Sequence, residues 1–508
     1  DRSGGPQWMI LQPIFGLDVY TFKDDVVGKI YNNDWVKACE AVKQAVTFDN
    51  SAGTATVRLK EPHGPMQQIL TLSSLAIVSK PWVAKQGDWN GDCASAEKHN
   101  DPTAEGDPLT KAMNGTGPYR FERWEPGQQI SLVRNDNYWL KEPLWEGAPK
   151  GPAKIQRVTI KVMEEWSTRF AALQTGDADS VEVPRQYISQ VDPLVAETCT
   201  SGSDGQIKCT SSGGTGALRV YKGLPTITSD VMAFNLQVNT TGGNDRIGSG
   251  KLDGNGVPPD FFSDIHVRKG FNYCFDWGIY IEQVFSGESQ QALGPIIQGI
   301  TGYDPNQAHY SFNAEKCAEE FKASTQKSSA GRSLWDTGFT LTYNYPAGSD
   351  QPRVAGEILK DNLAKVNPKF KLNAVEEPFQ ELLSAQNDSR MPLFSIGWQE
   401  DYHDPHNWVS AYLSSGGAFA GFSHFPADVQ SRLDELVLQG IQTKDETARA
   451  GIYKELQNIA YENALYVFLT QSQTRRYEQR WVSGWYYNPS YPYTTAPGVY
   501  FYALSKSK

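Results

Sequence analysis

Acids and aromatic rings crowd one short run of the sequence, Gly397-Trp398-Gln399-Glu400-Asp401-Tyr402-His403-Asp404-Pro405, directly after the apolar Leu393-Phe394-Ser395-Ile396. An apolar stretch that ends in an Asp-Pro turn reads as a strand entering a loop, and ligands are commonly held at strand ends. A carboxylate between aromatic walls can hold an ammonium group by charge-assisted hydrogen bonds. In that reading Asp401 supplies the charge, with Trp398 and Tyr402 as walls. The same residues also fit two core aromatics and a structural turn at Asp404-Pro405.

Other chemistries find less support. Asp401, His403, Asp404 and His406 are the one cluster of metal-ligand types, but four donors on one short loop rarely close a shell, and no Cys or third His is near. The patterns His-Glu-x-x-His, Gly-x-Ser-x-Gly and Gly-x-x-x-x-Gly-Lys-Ser/Thr do not occur. Adjacent acids such as Glu376-Glu377 and Glu400-Asp401 would point to opposite sides of a strand, which does not suit paired acid-base work. In a chain with 58 Asp and Glu they are expected to be solvated. No catalytic residue, metal or cofactor is therefore expected. The 14 Trp and 24 Tyr would suit stacking on sugar rings as well as contact with apolar peptide side chains.

The elements that must position this run read as α/β. Leu341 to Tyr345 alternates as a strand, Pro352 to Lys365 reads as a helix and Lys369 to Val375 as another strand, a βαβ order that implies a parallel pair. Asp264 to Ser286 reads as one amphipathic helix, with Val267, Phe271, Cys274 or Phe275, and Ile279 at helical spacing. Further strands are expected at Thr54 to Leu59, Gln129 to Arg134, Val158 to Val162 and Ser180 to Val183. Helices are expected at Ser167 to Thr175, closed by Gly176, and at Thr443 to Glu462. After Tyr466 to Leu469 the chain is expected to cross back to the part where it began. The Gly- and Asp-rich loop around Lys251 to Gly256 lacks the third oxygen ligand of a calcium loop and reads as a solvated turn.

At 508 residues the chain is too long for one core and predicts two or three globular units. Its 39% hydrophobic and 21% charged residues are ordinary for a soluble protein, and no run of 18 apolar residues occurs. A net charge of −11 without a basic cluster argues against nucleic acid as a partner. Six cysteines, at 39, 93, 199, 209, 274 and 317, include no Cys-x-x-Cys. They are expected to pair as Cys39 with Cys93, Cys199 with Cys209 across a short polar run, and Cys274 with Cys317, which implies an oxidising extracytoplasmic home.

Several segments in order carry a resemblance. Gly115-Thr116-Gly117-Pro118-Tyr119, then Phe121, Trp124, Pro126-Gly127 and Arg134-Asn135-Asp136-Asn137-Tyr138-Trp139 are followed by Leu173 to Asp179 and Ala233-Phe234-Asn235. Next come Asp264-Ile265-His266-Val267-Arg268-Lys269-Gly270-Phe271-Asn272-Tyr273, the Gly397 to Pro405 run, and Val482-Ser483-Gly484 with Asn488-Pro489. Together they resemble the family 5 extracellular solute-binding proteins that serve ABC importers of oligopeptides and dipeptides. The resemblance implies a two-lobed α/β periplasmic-binding-protein-like clamshell of the cluster C type, with no reaction of its own. It places Asp401 where the family pairs with a ligand α-ammonium, Trp398 beside it as a wall, and Asn235 on a strand that presents groups to the ligand. The implied division is 1–150 as an extra first-lobe subdomain, 151–262 with 475–508 as first-lobe core, and 263–474 as second lobe. A peptide is the leading ligand, an oligosaccharide or a metal chelate the alternatives within the family, and a secreted hydrolase the reading outside it. The expected partners are that ligand and a membrane permease. The expected state is a monomer in the periplasm or at the cell surface. The family's opening strands have no counterpart here, so the N-terminal part of the first lobe is expected to be missing. A separate N-terminal fragment of the same protein and a lipid anchor ahead of the present start belong to that expectation.

Overall fold

The architecture is taken from a computed structural model, which describes all residues except 1–7, 17–25, 101–102, 104–105, 111, 202–206, 212, 215, 489, 491–498 and 508. Pro489 and most of the polar run between Cys199 and Cys209 thus lie outside the described residues.

Nine strands form the principal sheet: β1 (Ser180–Val181), β2 (Val195–Ser201), β3 (Ile207–Ser211), β4 (Leu218–Phe234), β5 (Ser289–Gln291), β6 (Phe339–Pro346), β7 (Phe370–Glu377), β8 (Leu393–Gln399) and β9 (Tyr466–Gln479). Their order is β5-β9-β4-β8-β6-β7, with β1 on β9 and β2 pairing both β3 and β4. Packed with them are α1 (Ile265–Cys274), α2 (Trp277–Phe285), α3 (Ala314–Ala323), α4 (Asp350–Val366), α5 (Phe379–Asn387), α6 (Pro405–Leu413), α7 (Ala427–Gln442) and α8 (Glu446–Glu462). The β6-α4-β7 unit is parallel from Phe339↔Phe370 to Pro346↔Glu377, as the sequence pattern requires. A hairpin at Val46–Asp49 and Thr54–Val57 and a three-stranded sheet of Tyr119–Glu125, Gln129–Arg134 and Arg157–Lys161 stand apart.

β4 and β9 are the longest strands, 17 and 14 residues, and each runs through more than one core. Ile227 and Val231 to Phe234 of β4 share a large core with Tyr466 to Leu469 of β9. Toward their other ends, Tyr221 and Leu224 pack with Cys199, Trp485 and Leu504, and Leu218, Val220 and Tyr477 pack with Leu173 and Val191. Between these cores the pair turns polar. The hydroxyls of Thr226, Thr228 and Ser472 bond one another at 2.8 to 3.0 Å, and Gln471 Nε2 donates to Thr226 O at 2.8 Å. The register of β9 on β4 shifts three times between Phe468 and Arg476. The crossing is held by hydrogen bonds where neighbouring stretches are held by apolar packing.

All three expected disulfides are present. The expected single helix over Asp264 to Ser286 is instead two. Phe275 is extended and fully buried, and Asp276 caps a new start by accepting a hydrogen bond from Ile279 N at 3.0 Å. An Asp competes well as an N-cap, and apolar spacing alone does not register that break. Among the described residues no helix is long and apolar enough to cross a membrane.

Candidate functional site

β8 outlasts its parallel neighbour. β6 pairs with it only at Tyr343↔Leu393 and Asn344↔Phe394, while β4 pairs along its full length, from Leu393↔Phe234 to Gln399↔Thr228. Glu400 N donates to Ile227 O at 3.1 Å, so the even-numbered peptide groups of this stretch face β4. The peptide groups of Gly397 and Gln399 therefore face the opposite edge, where no described strand pairs. That edge borders a cavity of about 730 Å³, walled by Ser395 and Gly397, by Tyr280 of α2, and by Pro346 and the first turn of α4. Its size falls in the range of small-ligand sites. Gly397 has a local reason to be glycine: a Cβ there would overlap Oδ1 of Asp230, its cross-strand neighbour on β4.

Beyond β8 the loop is knotted around Asn407, fully buried in α6. Its Oδ1 accepts from Trp398 Nε1 at 2.9 Å and from Asp401 N at 3.0 Å, and its Nδ2 donates to Asp401 Oδ2 at 3.1 Å. Asp401 is thereby fixed in position, yet among the described residues no lysine or arginine pairs with it. Burial raises the Asp401 carboxyl above its ordinary range, opposed by the Asn407 bond and assisted by the nearby Glu400 charge. A half-buried carboxylate with one amide donor and, among the described residues, no counter-ion has the chemistry to receive a cation. Trp398 stands beside it, half-buried, its ring edge-on to Phe419 with centroids 5.8 Å apart. Asp401 does not line the cavity wall but lies four residues past Gly397, in the loop that follows β8.

The structure brings Asp401 and Trp398 together, turns the ring of Tyr402 into the interior and leaves Asn235 at the far end of β8. Tyr402 is 2% exposed, packs with Met9 and Ile69, and shares a hydrogen bond between its hydroxyl and His406 Nδ1 at 2.9 Å, so its ring is held in the interior. Asn235 is 1% exposed and committed to structure: Nδ2 donates to Ser389 O at 2.9 Å, and Oδ1 accepts from Gln237 N at 3.1 Å. It follows Phe234, at the opposite end of β8 from Gln399, roughly 20 Å away at ordinary strand rise.

The expected turn residue Asp404 caps α6, accepting from His406 N at 2.9 Å, and pairs in bidentate fashion with Arg449 of α8 at 2.7 and 2.8 Å. Both partners are at most 5% exposed. Glu400, expected to be solvated, is 2% exposed, accepting from Trp408 Nε1 at 3.2 Å and bonded to His403 Nδ1 at 2.9 Å. Glu377 is buried on Arg246 and Asn344. With these acids and histidines spent separately, no group of three metal-ligating side chains forms among the described residues.

Sequence reasoning missed Asn407 and Asp230. Asn407 gives no signal of its own, being one amide early in a helix. Asp230 does: it is a lone charge in Ile227-Thr228-Ser229-Asp230-Val231-Met232-Ala233-Phe234, the otherwise uncharged second half of β4.

Comparisons place this geometry among known proteins. The family model described as bacterial extracellular solute-binding proteins, family 5 Middle, matches residues 29–420. Heme-binding protein A of Haemophilus influenzae is 24% identical over 358 residues, covering 70% of this chain and 54% of that protein. The probable D,D-dipeptide-binding periplasmic protein DdpA of Escherichia coli is 21% identical, covering 75% of this chain and 61% of that one. The chain thus spans somewhat over half the length of these relatives. The periplasmic binding protein DppA of Helicobacter pylori, solved with the peptide STSA, superposes with a TM-score of 0.60 at 18% identity, over 99% of this chain and 81% of that one. The fold is accordingly the two-lobed α/β fold of periplasmic binding proteins. With more than half of its length matched by the family model, the chain belongs to the family 5 bacterial extracellular solute-binding proteins.

Proposed function

We propose that the chain is the extracytoplasmic binding component of an ABC importer, and that it holds a peptide between its lobes for delivery to a membrane permease. The observation that carries this reading is the pairing of an open strand edge with an uncompensated carboxylate. Gly397 and Gln399 offer main-chain donors and acceptors on which an extended peptide can add as a further strand. Asp401 lies just past them, where the α-ammonium of such a peptide would arrive, with Trp398 as a wall. The peptide-binding relative DdpA and the peptide-bound DppA support the same class of ligand. The lobes of this reading follow the expected division of 1–150, 151–262 with 475–508, and 263–474, except that the boundary at 262 moves back into β4, so that they hinge at the polar crossing of β4 and β9.

Calorimetric titration with short peptides tests it. Replacing Asp401 by Ala leaves the ligand ammonium buried and unpaired, which costs about 3 to 5 kcal/mol, or roughly two to four decades in affinity. Asp401→Asn should lose nearly as much. An N-acetylated peptide should bind the parent weakly and lose little more on mutation. An Asp401→Ala variant within about threefold of the parent would reject the ammonium anchor and favour a neutral ligand such as a sugar.

A further inference from the structure

We infer that Asp230 and Tyr280 form a subsite for a cationic side chain of the bound peptide, the ammonium of a lysine or the guanidinium of an arginine, in the cavity beside the edge of β8. The inference rests on the peptide reading above and adds a substrate class to it.

Asp230 borders the cavity beneath Gly397. Among the described residues it has neither an ion-pair partner nor a hydrogen-bond donor. The buried carboxylates Asp404, Glu377 and Glu400 of this molecule are all paired, whereas Asp230, half-buried at the cavity wall, is left open to an occupant. The cations on the cavity wall are already engaged. Arg185 donates to Phe285 O at 2.8 Å and Gln473 O at 2.9 Å, and Arg353 to Glu357 at 2.8 Å and Asp350 at 3.2 Å.

Tyr280 supplies a second, independent sign. It is fully buried, lines the cavity, and among the described residues its hydroxyl has no hydrogen-bond partner. The other tyrosines within reach of the Asp230 charge have partners: Tyr343 donates to Pro352 O and Tyr412 to Ser229 O, each at 2.9 Å. One free acceptor pair and one free hydroxyl, with an aromatic face beside them, make a pocket for a desolvated cation. A ligand strand on the β8 edge sends alternate side chains to each face of the sheet. A side chain directed to the Gly397 face meets Asp230, while the peptide's own ammonium is held further on by Asp401.

The test is retention of peptides from a mixed tripeptide library with free N-termini, in which Lys, Arg, norleucine and Glu occur equally at every position. Peptides kept through gentle desalting are identified by mass spectrometry for the parent and for Asp230→Asn. The parent should favour Lys or Arg over norleucine at one position by about tenfold to a hundredfold, the size of one charge-assisted bond. Asp230→Asn should still retain peptides but lose that preference, and thermal melting at pH 7 should show it folded. Retention by the parent without a cationic preference, or an unchanged preference in Asp230→Asn, would overturn the subsite and leave the peptide reading standing. If the parent retains no peptide at all, the peptide reading fails and this inference with it.

Discussion

At the residue scale, the acids of one loop and one strand separate by what answers their charge. Asp404 is answered by Arg449 and by a helix N-terminus, so Asp404→Ala strands a buried guanidinium. It should lower folding stability by about 3 to 5 kcal/mol in a denaturant titration, whatever it does to ligand. Asp401 has no such cation among the described residues, and Asp401→Ala should leave the denaturation midpoint close to the parent's. Asp230 makes a third case. Burial raises its carboxyl from 3.8 to about 6. Between those values the folded chain holds a proton that the unfolded chain has released, so stability falls as pH rises through that window. Above it the charge destabilises the fold by roughly 2 to 3 kcal/mol. Asp230→Asn should therefore raise the thermal midpoint at pH 8, with the gain shrinking as pH approaches 4. The sequence pointed to Asp401 and Trp398 by type and order, left Tyr402 open between a ligand wall and a core ring, and did not signal the burial of Glu400 and Asn235. Spacing fixes neighbours along the chain, whereas those three are set by packing across it, from Met9 and Ile69, Trp408, and Ser389.

At the element scale, β8 was legible as a strand and its βαβ neighbours as a parallel pair, because apolar alternation and helical spacing are local signals. Its open edge was not legible, since it depends on β6 stopping at Pro346 while β4 continues alongside. The break between α1 and α2 escaped for a related reason: the apolar stripe continues through it while a capping Asp and an extended, buried Phe275 end the helix. Gly397 ties these facts together. Gly397→Ala would drive a methyl group into Asp230 and should weaken peptide binding while preserving the fold. Calorimetry alongside circular dichroism would check this, and unchanged affinity would mean that the edge of β8 is not where the ligand lies.

At the scale of the whole molecule, the order of motifs from Gly115 to Pro489 carried the family and the fold, while the position of the hinge did not show. The motif order suggested a change of lobe near residue 262. The cores themselves divide within β4, between Leu224 and Ile227, and within β9, between Leu469 and Tyr477. A strand that serves two cores still reads as one strand, so its midpoint is silent in sequence. In the proposed closure the two lobes tilt at the polar crossing of Thr226, Gln471 and Ser472, where no apolar contact has to be torn. Small-angle scattering during a peptide titration tests this account most directly, with Asp401→Ala run in parallel at the same peptide concentrations. The account predicts a smaller radius of gyration as the parent saturates and no change in the variant until far higher peptide. An unchanged radius in a parent that calorimetry shows to be saturated would contradict it.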